Sequence, residues 1–197
     1  MKKYELTEET VTVYGKTLYR IRAVRDFGSV KTGEFGGYIE KEENLSHFGN
    51  AWVSGNAWVF DNARVYDNAW VFGNAWVFDN ARVYDDTWVY GNARVYGDAW
   101  VCGDAKVYGD AWVSGNAEVF NTRHFFVQGP IGSRNGFITF YRTKDNTVEV
   151  RCGCFSGSLQ KFVDRVEETH GGSRYEKEYK LAAELAKVCI RLEGESR

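Results

Sequence analysis

Gly49-Asn50-Ala51-Trp52-Val53-Ser54, Gly55-Asn56-Ala57-Trp58-Val59-Phe60, Asp61-Asn62-Ala63-Arg64-Val65-Tyr66 opens a run in which one six-residue phrase is said twelve times without insertion, ending at Gly115-Asn116-Ala117-Glu118-Val119-Phe120. Hexapeptide periods belong to parallel β-helices. Side chains alternate faces along a strand, so Val at position five and Ala at position three (Thr once, at Thr87) share one side. Trp or Arg at position four and Phe or Tyr at position six share the other. Val therefore points inward with the small residue beside it. Gly or Asp at position one and Asn or Asp at position two tolerate left-handed backbone, so they make the corners. Three hexads close a triangular coil, and the twelve give four coils, a prism of roughly 20 Å at ~4.8 Å per rung. The flanks Glu43–Phe48 and Asn121–Phe126 read as degenerate units that add partial rungs.

Folding the hexads in threes sorts position four into columns: Trp52, Trp70, Trp88, Lys106; Trp58, Trp76, Arg94, Trp112; and Arg64, Arg82, Trp100, Glu118. Two faces thus carry Trp ladders and the third carries Arg and Tyr. A Trp offers about 150–250 Å² of surface, so three on a face with flanking aromatics reach or exceed the ~300–600 Å² largest patch of an ordinary monomer. Such faces call for a cover. Trp52, Trp70, Trp88, Trp58, Trp76 and Trp112 are the candidate oligomer-face residues, and a closed homotrimer of parallel prisms is the expected assembly. A stacking platform for sugars or nucleobases, or mere rung-to-rung support, are the other readings of the same ladders.

The pattern resembles the left-handed β-helix of the hexapeptide-repeat superfamily, whose signature is an aliphatic residue and a small residue four positions later. Val53 to Ala57 and Val59 to Ala63 stand at that spacing, and left-handedness and trimeric assembly are what the resemblance implies. The entry segment Ala23-Val24-Arg25-Asp26-Phe27-Gly28 through Phe35-Gly36-Gly37-Tyr38-Ile39, followed by Glu43-Asn44-Leu45-Ser46 and the hexads, resembles a family of phage and prophage proteins. Some of its members are labelled acetyltransferases by repeat similarity alone. The tail segments Ile131–Gly136, Thr139–Arg142 and Cys152–Gly157 are similar to a C-terminal module found on phage hexapeptide proteins. The resemblance implies a phage-associated cytoplasmic protein and brings no agreed activity.

The chain is 197 residues long, carries net charge −2, and splits into a neutral segment 1–48, an acidic prism at −5 and a tail at +3. Duplex DNA would need roughly twelve charges over 20 Å, so the prism is too weakly charged to mimic it. The chain has no basic block, which argues against nucleic acid as a partner. Four cysteines, of which only Cys152 and Cys154 are close-spaced, make no disulfide framework and fit a reducing cytoplasm. The start, Met1-Lys2-Lys3-Tyr4-Glu5-Leu6, lacks the apolar core of a signal peptide, and no apolar run is long enough to span a membrane.

Before the prism, Val11, Val13, Leu18, Tyr19 and Ile21 around Tyr14-Gly15-Lys16 predict a β-hairpin that caps the open first rung. After it, alternation over Phe137–Cys152 predicts a second hairpin, with a third strand in 123–128. Two helices follow, one capped by Ser156 or Ser158 and ended at Gly171-Gly172, the other over 175–192. The organisation is therefore mainly β: an N-terminal β cap (1–36), a left-handed parallel β-helix of about four to five coils (37–126) and a small α+β module (127–197).

Acyltransferases of the resembled superfamily use a His beside the acyl-CoA groove, and the hexads contain none; His47 and His124 fall at opposite ends of the prism. Zinc chemistry needs clustered ligands, so neither a metal nor a cofactor is expected, and Cys152 reads as a packed strand residue. The most site-like loop is Gly132-Ser133-Arg134-Asn135-Gly136, where glycines let a backbone approach a ligand and Ser133, Arg134 and Asn135 offer a phosphate clamp. Arg142, and beside it Arg151 and Lys161, are placed near that loop; the plain alternative is an exposed hairpin turn. The expectation is a non-enzymatic, oligomeric phage or prophage binding protein, inhibiting a host defence or other host factor. The alternatives are a nucleotide or sugar sequestering protein and a hexapeptide-repeat acyltransferase.

Overall fold

A computed structural model describes residues 2–194. The chain starts with strands β1 (Tyr4–Val13), β2 (Lys16–Ala23) and β3 (Phe35–Ile39). Twelve two-residue strands follow, one per hexad, from β4 (Trp52–Val53) to β15 (Glu118–Val119). Each pairs in parallel with its counterpart one coil on: Trp52 with Trp70, Trp58 with Trp76, Arg64 with Arg82. The three columns read from sequence are the three sheets of a parallel β-solenoid. All hexad Val and Ala side chains are buried, as is Thr87.

Two positions precede the twelve hexads, Ile39 paired with Val59 and Leu45 bridged to Val65, and with Val53, which pairs with Val71, they make the first of five coils. Here the expected frame is corrected. Read as a unit, Glu43–Phe48 would put Leu45 at the corner position; the structure pairs it with an inward Val. The stretch from 45 to 52 is two residues longer than its counterpart from 65 to 70, and the excess carries His47 and the exposed Phe48. At the other end Phe125 is buried in the same core, so Asn121–Phe126 does add a partial rung.

The hairpin β1–β2 continues the second-face sheet through antiparallel pairing of β2 with β3. Its Tyr4, Ile21 and Ala23, with Phe27 and Val30 of the loop, join the solenoid core and roof the first coil. Gly37 is required there, since a Cβ would lie 2.6 Å from the Ala57 carbonyl oxygen.

Beyond the last coil stand β16 (Phe125–Ile131), β17 (Gly136–Arg142), β18 (Val148–Cys152) and β19 (Phe155–Ser158), a four-stranded antiparallel sheet in that order, then α1 (Leu159–His170) and α2 (Arg174–Cys189). Strand β19 was not legible as a strand: its Ser-Gly-Ser sequence reads as a loop before a helix, yet it pairs with β18 and ends on Ser158, the N-cap of α1. Ile138, Phe140 and Val150 pack on Phe162, Val166 and Ala183 of the helices. The opposite face of β17 rests on the solenoid. Tyr141 enters the solenoid core, the Trp112 backbone N–H donates to Thr139 Oγ1 at 2.9 Å, and Ala117 bridges Thr143. The module is thus the lid on the lower end of the prism.

Candidate functional site

Outward side chains of the solenoid stack rung on rung. On the second face Trp58 and Trp76 stack at 4.6 Å, and Phe60, Phe78 and Tyr96 form a second column at 5.1 and 4.8 Å. This face is bracketed by the chain itself. Val11, Val13 and Leu18 of the hairpin pack with Trp58, Phe60 and Trp76, Tyr14 meets Trp76 edge-on, and the C-terminal sheet abuts Trp112. Trp58, Trp76 and Trp112 are accordingly half-buried within one chain.

The first face differs below its top rung. Trp52 is corrected as an oligomer-face residue: it is fully buried, held edge-on by Tyr4 and Phe27 under the N-terminal roof. Beneath it Trp70 is half-buried and Trp88 is exposed, with Phe72, Tyr90 and Tyr108 stacked alongside at 4.9 and 5.7 Å. Trp88 is 44 % and Tyr108 40 % exposed. A groove of about 450 Å³ runs past Trp70, Phe72 and Trp88, opened at its upper end by Ser54, which stands where the lower rungs carry Phe or Tyr. On the third face Tyr66 and Tyr84 stack at 4.8 Å beside exposed Arg64 and Arg82, and Arg82 sits over Trp100. Trp100 and Tyr108 are exposed as well, though neither is among the six candidate Trp residues; Trp100 breaks the Arg column and Tyr108 extends the first-face stack.

The predicted clamp does not come together. Ser133, Arg134 and Asn135 are exposed on the β16–β17 turn, while Arg142 lies at the far end of β17, about 23 Å away at ~3.3 Å per residue. Arg142 is corrected as a ligand residue. It is 2 % exposed, pairs with Glu118 at 3.4 Å and Glu193 at 2.6 Å, and covers the Phe120 ring, so it fastens the C-terminal module to the last coil. In the loop, the backbone N–H of Gly132 already donates to the Glu178 carboxylate of α2 at 2.7 Å. That carboxylate takes the place a phosphate would need.

Both histidines near the prism hold its ends. His47 stacks on Tyr4 at 4.3 Å and its Nδ1 accepts from the Lys3 backbone N–H. His124 is buried, and its Nδ1 accepts from the Phe120 backbone N–H at 3.1 Å. Burial, reinforced by the Arg142 charge, pushes the His124 pKa down. Among the described residues no cluster of His, Cys, Asp and Glu could hold a metal ion, and no helix is long and apolar enough to cross a membrane.

A family model described as the YdcK β-solenoid repeat matches residues 63–77, 75–91 and 88–103. No curated protein matches the chain. The match falls on the middle coils, whose outer faces carry Arg82, Trp88 and Trp100, and there the chain is similar to that repeat, in keeping with its parallel β-solenoid.

Proposed function

We propose that the chain is a non-enzymatic binding protein that assembles with copies of itself through the solenoid. The observation that carries this reading is the uncovered first face, where Trp88 and Tyr108 remain exposed after both end modules have covered what they reach. The neighbouring third face offers Arg64 and Arg82, also exposed. An aromatic face and a guanidinium face complement each other, because a cation over Trp is attracted by the ring's negative face. Two different complementary faces give a head-to-tail contact, which closes into a ring when the rotation allows. A three-sided prism fits a ring of three. The engagement of His47 and His124 in the end caps supports the non-catalytic reading.

Trp88→Asp tests the assembly. It places a charge on an exposed rung and leaves the core untouched. The variant is expected to elute from a sizing column as a single chain with an unchanged circular-dichroism melt; an unaltered elution volume would remove the first face from the interface. As a cytoplasmic protein of phage or prophage origin, the assembly would serve to block a host protein such as a defence factor. Phage plating on a defended host should then rise when the chain is expressed and stay low with Trp88→Asp; equal plating in all cases argues against that role.

A further inference from the structure

Where the C-terminal sheet abuts the second face, a groove of about 310 Å³ is lined by Arg94, Asp110 and Trp112 of the solenoid and by Phe137, Thr139 and Arg151 of the module. The Arg94 guanidinium lies 4.6 Å from the Trp76 ring centre and 4.9 Å from that of Trp112. Arg151 lies 5.7 Å from Trp112 and 5.8 Å from Tyr96. Both arginines are half-buried, and among the described residues neither guanidinium makes an ion pair or a hydrogen bond. Arg151 Nε is fully enclosed with no acceptor. Arg142, the most buried arginine described, meets two carboxylates, while Arg25 Nε near the N-terminal roof shares the enclosure of Arg151 Nε but lines no aromatic groove with a second arginine.

A buried donor without an acceptor is costly, and native proteins keep few of them. Ring contacts orient both guanidiniums, neither of which meets a carboxylate, and the enclosed donor left without an acceptor is Arg151 Nε. Two such forks at one groove match a phosphate, which accepts from guanidinium in a bidentate manner. Phe137, 42 % exposed, supplies an apolar wall too large for a bare anion to use. Asp110, whose Oδ1 already accepts from the Asn92 amide, adds an acceptor for a hydroxyl or amino group. The volume stands at the low end of the ~300–1,000 Å³ range of ligand pockets, enough for one nucleotide.

We propose that this groove binds a ligand of the nucleoside monophosphate class, its phosphate between Arg94 and Arg151 and its planar ring against Phe137. The site lies away from the open first face, so it stands whether or not the chain assembles there.

Calorimetric titration of the full chain with AMP, GMP, CMP and UMP tests it, with inorganic phosphate and adenosine as separate arms and Trp fluorescence followed in parallel. At least one monophosphate is expected to bind one per chain with a Kd below about 1 mM, with phosphate or nucleoside alone at least tenfold weaker. Arg151→Gln and Arg94→Gln should each weaken binding at least tenfold, and Arg165→Gln on the outer surface of α1 should not. If Arg94→Gln fails to fold, the wild-type titration and Arg151→Gln still decide. No binding by any of the four overturns the proposal. So does equal binding of inorganic phosphate, unchanged affinity in Arg151→Gln, or a loss seen only in Arg134→Gln, which would return the ligand to the β16–β17 turn.

Discussion

Asn at position two of the hexad does more than permit a corner. Each Asn amide donates to the carbonyl of its counterpart one coil down: Asn56 and Asn74 lead to Asn92, and Asn62 leads to Asn80. A chain of donors must end on an acceptor, and each ends on a carboxylate, at Asp86, Asp110 and Asp98. The choice between Asn and Asp, which looks arbitrary in the sequence, therefore marks the lower end of each ladder. The corner Asp residues are tied in as well: Asp79 and Asp85, with left-handed φ of 58°, accept from the N–H groups of Gly97 and Gly103. Thr87 is the opposite case. It replaces Ala in the core, and its hydroxyl is buried without a partner. An unmet buried hydroxyl costs ~1–3 kcal/mol, so Thr87→Val, which keeps the volume, should stabilise the chain by about 1 kcal/mol in urea unfolding. A loss of stability would mean that the hydroxyl is satisfied.

At the scale of elements, hexad strands, hairpin and both helices were legible because each is specified locally, by period, turn residues and caps. Ser158 and Ser173 accept from backbone N–H groups at the two helix starts. What was not legible depends on distant partners. Strand β19 exists because β18 has a free edge, the burial of Trp52 depends on Tyr4 and Phe27, and the role of Arg142 depends on Glu118 and Glu193. The roof also buries a lysine. Lys3 is fully enclosed, donates from Nζ to the Ala51 carbonyl at 2.7 Å and covers the Phe27 ring. Burial, with the nearby Arg25 charge, lowers its pKa from 10.5 to about 8. Between those values the unfolded chain holds the proton and the folded chain does not, so the contribution of Lys3 to stability rises with pH from about 8 to 10.5. Buried thiols and phenols such as Cys102 and Tyr141, whose pKa is raised by burial, act in the opposite direction at the upper end of that window. The unfolding midpoint of the wild type relative to Lys3→Met should therefore climb across the window; identical slopes would show that Lys3 does not titrate there.

At the scale of the molecule, a solenoid has two open ends and three open sides. The ends are closed by the chain's own modules, with Tyr4 sealing the top through bonds to the Glu42 and Leu45 carbonyls and Tyr141 and Arg142 the bottom. Glu118 and Glu193 reach solvent, so Arg142→Ala strands no enclosed charge, and the loss of its hydrogen bonds to charged partners should lower stability by about 1.5–3 kcal/mol and free the C-terminal module in hydrogen exchange. Protection unchanged over β17 would place the fastening elsewhere. The sides are unequal: the second is bracketed, the first and third are open. Sequence columns found the faces but could not show which the end modules reach, since that depends on where the hairpin and the sheet fold back.

Whether other copies of the chain close the open faces is read directly by sedimentation of the purified chain at micromolar concentration. A mass near three times 22.5 kDa is expected; a stable species of 22.5 kDa, with Trp88 and Tyr108 left facing water, would rule the assembly out.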